Sequence, residues 1–185
     1  MHLEELDHWT AKLGLTGYRT QRARAIHLTL DSLILVSLLP SKPGMVLDIG
    51  SGAGFPGLVI KVLRPDCRVI LVEVNRRRAN FLRHARRVLQ LEGLEILEDR
   101  IERVTGVLGT TVDVVTSRAV MAPRTVVNCA AALLRPGGIL LIPLSPSGPR
   151  PPLPQGWSCE VVTRPLPFSS IQRQILRICA PVETG

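Results

Sequence analysis

The chain has 185 residues, and Lys and Arg outnumber Asp and Glu by 23 to 15, which gives a formal net charge of +8. Hydrophobic residues make up 45% and charged residues 21%, a balance that predicts one globular domain and excludes wholesale disorder. The longest apolar run, LILVSLL at 33–39, is too short to cross a bilayer, and the acidic beginning MHLEELDHWT is unlike a signal peptide.

Cysteine usage and charge narrow the class further. The four cysteines stand far apart, with no CxxC pair and no His at ligand spacing, so we expect no disulfide scaffold and no metal site. A reducing, cytoplasmic location fits this pattern. The basic charge favours a polyanionic partner such as nucleic acid. The alternative is that abundant Arg reflects only a GC-rich genome.

The N-terminal part of the chain is predicted to be helical. Apolar residues recur at helical spacing from His2 to Leu13 and again from Arg22 to Leu39, where Pro40 ends the second helix. Residues 1–43 are therefore expected to form a helical cap in front of a core at 44–185.

From Met45 onward, short apolar runs alternate with amphipathic segments, the pattern of βαβ units in a parallel sheet. Strands are predicted at 45–49, 68–72, 94–97, 112–116 and 138–143. Helices are predicted at 58–63, 76–91 and 123–134, and RPGG at 135–138 is expected to form a turn.

The last part of the chain has another character. A proline-rich loop at 143–156 precedes two predicted strands, 158–164 and 172–179, with no room for a helix between them. These strands should form an antiparallel hairpin at the edge of the sheet. A mostly parallel, seven-stranded α/β sheet that ends in such a hairpin is the Rossmann-like architecture of class I methyltransferases, whereas NAD-binding Rossmann domains lack this ending.

The segment DIGSGAGFPG at 48–57 closes the first strand and opens a helix. Its glycines allow a tight turn and the close approach of a ligand to the backbone. Gly52, Gly54 and Gly57 match the dinucleotide fingerprint GxGxxG, and Glu73 ends the second strand, where an acid would hold ribose hydroxyls. NAD and S-adenosylmethionine both carry such a ribose, so these features alone leave both cofactors open.

Three further details favour S-adenosyl-L-methionine. Asp48, two residues before the first glycine, resembles the acid of methyltransferase motif I that serves the methionine end of the cofactor; a carboxylate there would repel a pyrophosphate. Glu102, in DRIE at 99–102 after the third strand, stands where an acidic residue meets the adenine amine. The RPGG turn before a strand is familiar in methyltransferases. The alternative is that Asp48 caps a helix and Glu102 is merely solvated.

The methyl acceptor is constrained by absent motifs. The chain lacks an Asn/Asp-Pro-Pro-aromatic motif and a Pro-Cys motif, which disfavours methylation of adenine amines and of pyrimidine C5, and no Lys follows Lys61. Guanine N7 presents a lone pair and carries no proton, so it needs no general base. An enzyme acting on it needs mainly positioning and a suitable electrostatic field.

Several segments resemble the glucose-inhibited division protein B (RsmG) family of bacterial 16S rRNA guanine-N7 methyltransferases. They are WTAKLGLT at 9–16, LDSL at 30–33, LDIGSGAGFPGLVIKVLRP at 47–65, VEVNRRRANFL at 72–82, DRIE at 99–102, SRAV at 117–120 and IQRQILRI at 171–178. The resemblance implies cofactor contacts at Gly50, Phe55, Ile101, Glu102 and Arg118, with Glu73 on the ribose; Gly52 shapes the same pocket.

The resemblance also implies an acceptor, 16S rRNA or the small ribosomal subunit, and we expect a monomer. Arg118, Arg124 and Arg173 are expected to face the acceptor. Departures from the family pattern lie at Gly14, His27 and Pro143-Leu144. Because of these departures, two alternative functions remain open. One is a methyltransferase of the same fold that acts on another RNA or a small molecule, and the other is a non-catalytic paralogue that binds S-adenosylmethionine or RNA.

The predicted helix at 76–91 carries six arginines and no acid, with an apolar face that includes Phe81, Leu82 and Ala85. Contact with RNA phosphates is one interpretation, and a solvated outer helix is the equal alternative. Arg124 has the same pair of interpretations. His27 is a candidate replacement for an arginine of the family, though a lone His on a helix is more often structural.

Overall fold

Short runs of valine, leucine and isoleucine form the centre of a sheet, as their β-branched and apolar character predicts. The computed structural model of the chain describes residues 20, 23, 25–118, 121–144, 150–167 and 170–182. These residues form seven strands in the order β3-β2-β1-β4-β5-β7-β6. The strands are β1 (Met45–Ile49), β2 (Arg68–Val72), β3 (Leu94–Leu97), β4 (Val112–Ser117), β5 (Leu134–Pro143), β6 (Ser158–Pro165) and β7 (Gln172–Cys179).

Strands β1 to β5 are parallel, and β7 runs antiparallel to both β5 and β6. The predicted fold class is confirmed, including the antiparallel hairpin at the edge. The helices are α1 (Asp31–Ser37), preceded by a π-helical segment at Ala25–Leu30, and α2 (Gly57–Leu63), α3 (Arg76–Val88), α4 (Ile101–Leu108) and α5 (Pro123–Ala131).

Alternation along the strands produces an apolar core on each face of the sheet, because successive side chains point to opposite faces. On one face, Val46 and Leu71 pack with the π-helical segment, α1, α2 and α3. On the other face, Leu47 and Ile70 pack with α4 and α5. The sheet is therefore covered on both sides, as a parallel sheet requires.

Several element boundaries differ from the predictions. Helix α3 ends at Val88 rather than residue 91, because the chain turns through a positive φ of 50° at Gln90. Helix α5 ends at Ala131, and the predicted turn 135–138 lies inside β5, where the pairing register with β4 shifts. Helix α4, for which no helix was predicted, fills the crossover between β3 and β4.

The predicted helix 22–39 is wound in two ways. Its described part begins as a π-helix and continues as α1, which ends at Ser37. The predicted helix at 2–13 lies outside the described residues, so the division into a cap at 1–43 and a core stays a prediction. None of the helices in the described ranges has the length and apolar character needed to span a bilayer.

Candidate functional site

The carboxyl ends of β1, β2, β3 and β4 meet along one edge of the sheet. Ile49 is level with Val72 and with Ser117, and Val72 is level with Leu97. The residues that follow each strand, among them Gly50, Glu73 and Arg118, therefore stand side by side. This edge is where parallel α/β sheets bind ligands, and we refer to it as the cofactor edge.

The glycine-rich turn after β1 is tied to β2 by its own backbone. The N–H groups of Gly50 and Ser51 both donate to the carbonyl of Val72, at 2.8 and 3.1 Å. Gly50, Gly52 and Gly54 all have positive φ angles, a conformation that L side chains rarely adopt. The three glycines at these positions are therefore required by the path of the chain.

Two glycines of the turn also permit close packing. A Cβ on Gly54 would collide with the side chain of Leu58, and one on Gly57 would collide with Leu71. Helix α2 consequently lies directly against β1 and β2. The predicted pocket residue Phe55 is 3% exposed and packs into the core beside this turn, where its peptide bond to Pro56 is cis.

Asp48, the predicted acid of the motif, is buried at 1% exposure beneath the turn. One carboxylate oxygen accepts a hydrogen bond from Thr116 Oγ1 at 2.8 Å, and the other accepts from the N–H of Gly57 at 3.3 Å. Burial raises the pKa of Asp48 from 3.8 to about 6, and the Thr116 hydrogen bond and the charge of Arg118 oppose that rise. The carboxylate joins the start of α2 to β4.

Glu73 lies at the end of β2 and is 4% exposed. Its Oε2 accepts from the N–H of Gly52 at 2.9 Å, and its Oε1 accepts from the N–H of Asn75 at 2.8 Å. Both oxygens are thus fixed beside the glycine-rich turn. A carboxylate oxygen has a second lone pair, so each can still accept a hydroxyl group of a ligand.

The segment that follows β3 brings one apolar and one acidic side chain to this edge at the start of α4. Ile101, the first residue of α4, is 5% exposed and packs in the core, whereas Glu102 is exposed beside it. Arg124 is exposed at the second position of α5, on the sheet face opposite α1. Arg124 is therefore not brought together with the other two predicted acceptor-side arginines.

Those two arginines meet in a charged cluster of His27, Asp31, Arg118 and Arg173, which we call the arginine cluster. Arg173 Nε donates to Asp31 Oδ1 at 2.8 Å, and its Nη2 lies 3.2 Å from His27 Nδ1. Arg118 Nη1 donates to the backbone carbonyl of His27 at 2.9 Å. The cluster joins the N-terminal helical segment, the end of β4 and the start of β7.

The antiparallel direction of β7 explains how a residue so late in the chain reaches this place. Pro143 at the end of β5 pairs with Ile175, so the beginning of β7 reaches the carboxyl edge of the parallel strands. Arg173 lies two residues earlier, just beyond that edge. It points to the face covered by α1, because residues two apart in a strand share a face and Ile175 packs in the core on that side.

A family model described as GidB, rRNA small subunit methyltransferase G, matches residues 1–143, more than half of the chain. The chain belongs to this family. The resemblance proposed from the sequence motifs is confirmed, and the matched region includes the whole glycine-rich turn, Glu73 and Arg118.

Two relatives of the family carry the name ribosomal RNA small subunit methyltransferase G. The protein from Chloroflexus aggregans is 42% identical over 144 residues, which cover 77% of this chain and 60% of the relative. The protein from Desulfotalea psychrophila is 47% identical over 118 residues, which cover 63% of this chain and 54% of the relative. The matched part of this chain thus spans little more than half the length of these two relatives.

Solved structures support the fold assignment. A SAM-dependent methyltransferase from Aquifex aeolicus superposes with a TM-score of 0.61 at 15% identity, covering 85% of this chain and 92% of that one. At this identity the likeness concerns the fold alone. It agrees with the parallel sheet and its terminal hairpin.

Two residues of the site, Thr116 and Asp31, received no role in the sequence analysis. Thr116 donates a hydrogen bond to Asp48 and is buried on the same strand face as Val114. The alternation of side chains along β4 could have indicated this burial from the sequence. Asp31 holds Arg173, and it stands inside the LDSL segment that carried the resemblance. The motif was recognised, but the partner of its acid lies 142 residues away and could not be read from the sequence.

Proposed function

We propose that this protein transfers a methyl group from S-adenosyl-L-methionine to N7 of a guanine in bacterial 16S rRNA. One observation carries the proposal: within a chain of the rRNA small subunit methyltransferase G family, the glycine-rich turn and Glu73 lie on the same sheet edge as the arginine cluster. This adjacency supports a cofactor site beside a basic acceptor site.

The turn fits a cofactor without a pyrophosphate better than a dinucleotide. A dinucleotide is held by unoccupied backbone N–H groups at a helix N-terminus. In this turn the N–H groups already donate within the protein, those of Gly50, Ser51, Gly52, Gly54, Gly57 and Leu58. The carboxylate of Asp48 beneath the start of α2 further disfavours an anion.

Different residues around the turn would bind different parts of the cofactor. Glu73 would accept the ribose hydroxyls, and Gly50 and Gly52 let the cofactor approach the backbone. Phe55 supports the turn from the core. Asp48 serves the methionine end through its charge and through the position of α2, because its own oxygens are buried.

The adenine would lie near the start of α4. Glu102 can accept a hydrogen bond from the adenine amine, since its side chain is exposed. Ile101 would contribute through its backbone, because its side chain is in the core. When bound, S-adenosylmethionine supplies a methyl group on a positively charged sulfur.

Methyl transfer to guanine N7 requires no proton removal. The N7 lone pair forms the new bond to carbon while the carbon–sulfur bond breaks, and that electron pair stays on sulfur. The protein must therefore hold the base in line. Arg173 would do so by donating hydrogen bonds to guanine O6 or to a phosphate, and Arg124 would contact a more distant phosphate. Arg118 links the cofactor side to this cluster.

The setting follows from this substrate. We propose that the protein acts as a monomer in the cytoplasm on small ribosomal subunits or their rRNA. Within the described residues there is no group of three or more His, Cys, Asp or Glu side chains that could hold a metal ion. The proposed transfer uses none.

The test is methyl transfer from radiolabelled S-adenosylmethionine to small ribosomal subunits that lack this modification, with naked 16S rRNA in parallel. We expect label at one guanine, where N7 methylation sensitises the chain to cleavage. Cofactor binding measured by calorimetry is the control for an intact cofactor edge. Cofactor binding without label on either acceptor would reject the rRNA acceptor and leave another substrate or a non-catalytic role.

A further inference from the structure

Helix α3 presents an unusually basic outer face. It carries six arginines within 13 residues and has no acid in its first turn. Arg76, Arg83 and Arg87 follow one another at spacings of seven and four residues, so they lie along one stripe of the helix. Arg77 and Arg86 flank the stripe, and all five of these side chains are exposed.

Composition bias does not account for this charge. Among the residues that the structure describes, the other α-helices carry few Lys or Arg residues: Lys61 in α2, Arg103 in α4 and Arg124 in α5. The placement also destabilises the helix, since cations near a helix N-terminus oppose its dipole. Arginines 76–78 occupy that end, where Asn75 caps the helix by accepting from the N–H groups of Arg77 and Arg78.

Most of these guanidinium groups are available to a ligand. Within the described parts of the chain, Arg83 pairs with Glu98 at 2.7 Å, but no acidic side chain pairs with Arg76, Arg77, Arg78 or Arg86. Arg87 Nη2 lies 3.3 Å from Nδ1 of His84 on the same helix. The stripe therefore has an excess of positive charge that the described protein does not neutralise.

The far end of α3 forms one wall of an open groove of about 700 Å³. It is lined by Arg83, Arg86, Arg87, Gln90, Leu91 and Glu92. Because α3 starts at the cofactor edge and is about 20 Å long, this groove lies near the opposite edge of the sheet. The groove thus extends away from the proposed reaction site, and Arg76, Arg83 and Arg87 mark the course of α3 from that edge to the groove.

We propose that the α3 arginine stripe and this groove bind the phosphodiester backbone of the RNA substrate away from the modified base. The inference rests on the proposed function for its choice of polyanion. Guanidinium groups favour phosphate because their planar donors bind its oxygens in pairs. The stripe fixes where the RNA lies, and the arginine cluster at the cofactor edge holds the target base.

The test compares two full-length triple variants with the same loss of charge. Arg83→Gln, Arg86→Gln and Arg87→Gln together remove the charges of the groove, and Gln keeps helix propensity. The control combines Arg103→Gln, Arg135→Gln and Arg150→Gln, exposed positions outside α3 and its groove. Both are checked for melting temperature and for S-adenosylmethionine affinity, which we expect to stay at wild-type values.

Binding to fluorescein-labelled 16S rRNA is measured by anisotropy over a range of salt concentrations. The slope of the log association constant against the log salt concentration is negative, and the groove variant should make it less steep by about 2 to 3. Each lost phosphate contact removes about 0.7–0.9 from its magnitude. Its Kd near physiological salt should rise roughly 10- to 100-fold. The control variant should change the slope by less than about 1.

Each other outcome is decisive. Equal slopes for the two variants would overturn the proposal and leave the stripe a solvated surface. If the groove variant loses binding to poly-L-glutamate while its rRNA binding is unchanged, the groove binds an acidic protein instead of RNA. Loss of rRNA binding in the groove variant, with no methyl transfer by the wild type, would support the surface while rejecting the proposed reaction.

Discussion

The two halves of the candidate site are built in different ways. At the cofactor edge, Asp48 and Glu73 are almost fully buried and bind mainly backbone N–H groups of a turn a few residues long. In the arginine cluster, Asp31 and Arg173 keep about a fifth to a quarter of their side-chain surface exposed and bind each other across 142 residues. The buried acids of one half accept hydrogen bonds mainly from backbone N–H groups, whereas the other half is held mainly by contacts of arginine side chains.

This difference has consequences for what mutations should do. A buried acid that organises a tight turn is part of the folded core, so its loss should affect stability and cofactor binding together. A partly exposed ion pair contributes little to stability, but this one orients the guanidinium that we propose holds the acceptor. We therefore expect stability effects at the cofactor edge and rate effects in the arginine cluster.

Gly54→Ala should have the largest effect. The substitution forces a side chain into a φ of 88° and against Leu58, so we expect a loss of about 3 kcal/mol in unfolding free energy and weaker S-adenosylmethionine binding. Urea unfolding and calorimetry measure the two effects. The control is Gly106→Ala in α4, where a Cβ meets nothing within 4 Å and helix propensity favours alanine. Equal stability of the two variants would contradict the tight packing of the turn.

Asp48 should make the stability of the protein depend on pH. Because burial raises its pKa from 3.8 to about 6, the folded state binds a proton more tightly than the unfolded state. Its contribution to stability is therefore greatest below about pH 4 and falls as pH rises to about 6, by up to about 3 kcal/mol in total. Asp48→Asn should remove this decline, as urea unfolding at a series of pH values would reveal.

Asp66 supplies the control for that measurement. It is exposed, and its hydrogen bond with Arg64 lowers its pKa, so its contribution to stability should rise with pH instead. Asp66→Asn should thus change the pH dependence in the opposite direction. If Asp48→Asn leaves the wild-type pH profile unchanged, the carboxylate is not buried as described.

Arg173→Ala tests the other half of the site. We expect methyl transfer to fall roughly 10- to 100-fold, because the acceptor is no longer held in line, while S-adenosylmethionine affinity and melting temperature stay near wild type. The control is Arg177→Ala on the same strand face, where the side chain pairs with Glu160. An equal loss of cofactor binding and transfer in Arg173→Ala would reject the separation between the two halves.

The smallest effect should be the coupling between Asp31 and Arg173. A double-mutant cycle with alanine at both positions should give a coupling of about 0.5–1 kcal/mol in unfolding free energy, because the pair is partly exposed to solvent. The more exposed pair Arg68–Glu95 should give less. Asp31→Asn should also reduce transfer less than Arg173→Ala does, because the arginine remains present. A coupling of several kcal/mol would place this pair with the buried cofactor edge.

Much of the architecture could be predicted from the sequence. The strand at 45–49, the turn at 48–57 and the helix after it each have a local signal, namely an apolar run, spaced glycines and a second apolar segment that ends at Arg64-Pro65. The errors lie where local signals compete. The predicted helix at 123–134 ends early because Leu134 pairs with Val112 in the sheet, and the π-helical winding before Asp31 has no periodic signature.

The sequence by itself determined the fold class, the family and the position of the glycine-rich turn, because these depend on residues close together along the chain. Only the tertiary structure decided that Asp48 is sealed between Thr116 and Gly57, and that Asp31 holds Arg173. Contacts of this kind arise from strand order and direction: the antiparallel β7 carries Arg173 to the edge where the parallel strands end. The strand order and register bring these distant residues together, and neither has a local pattern in the sequence.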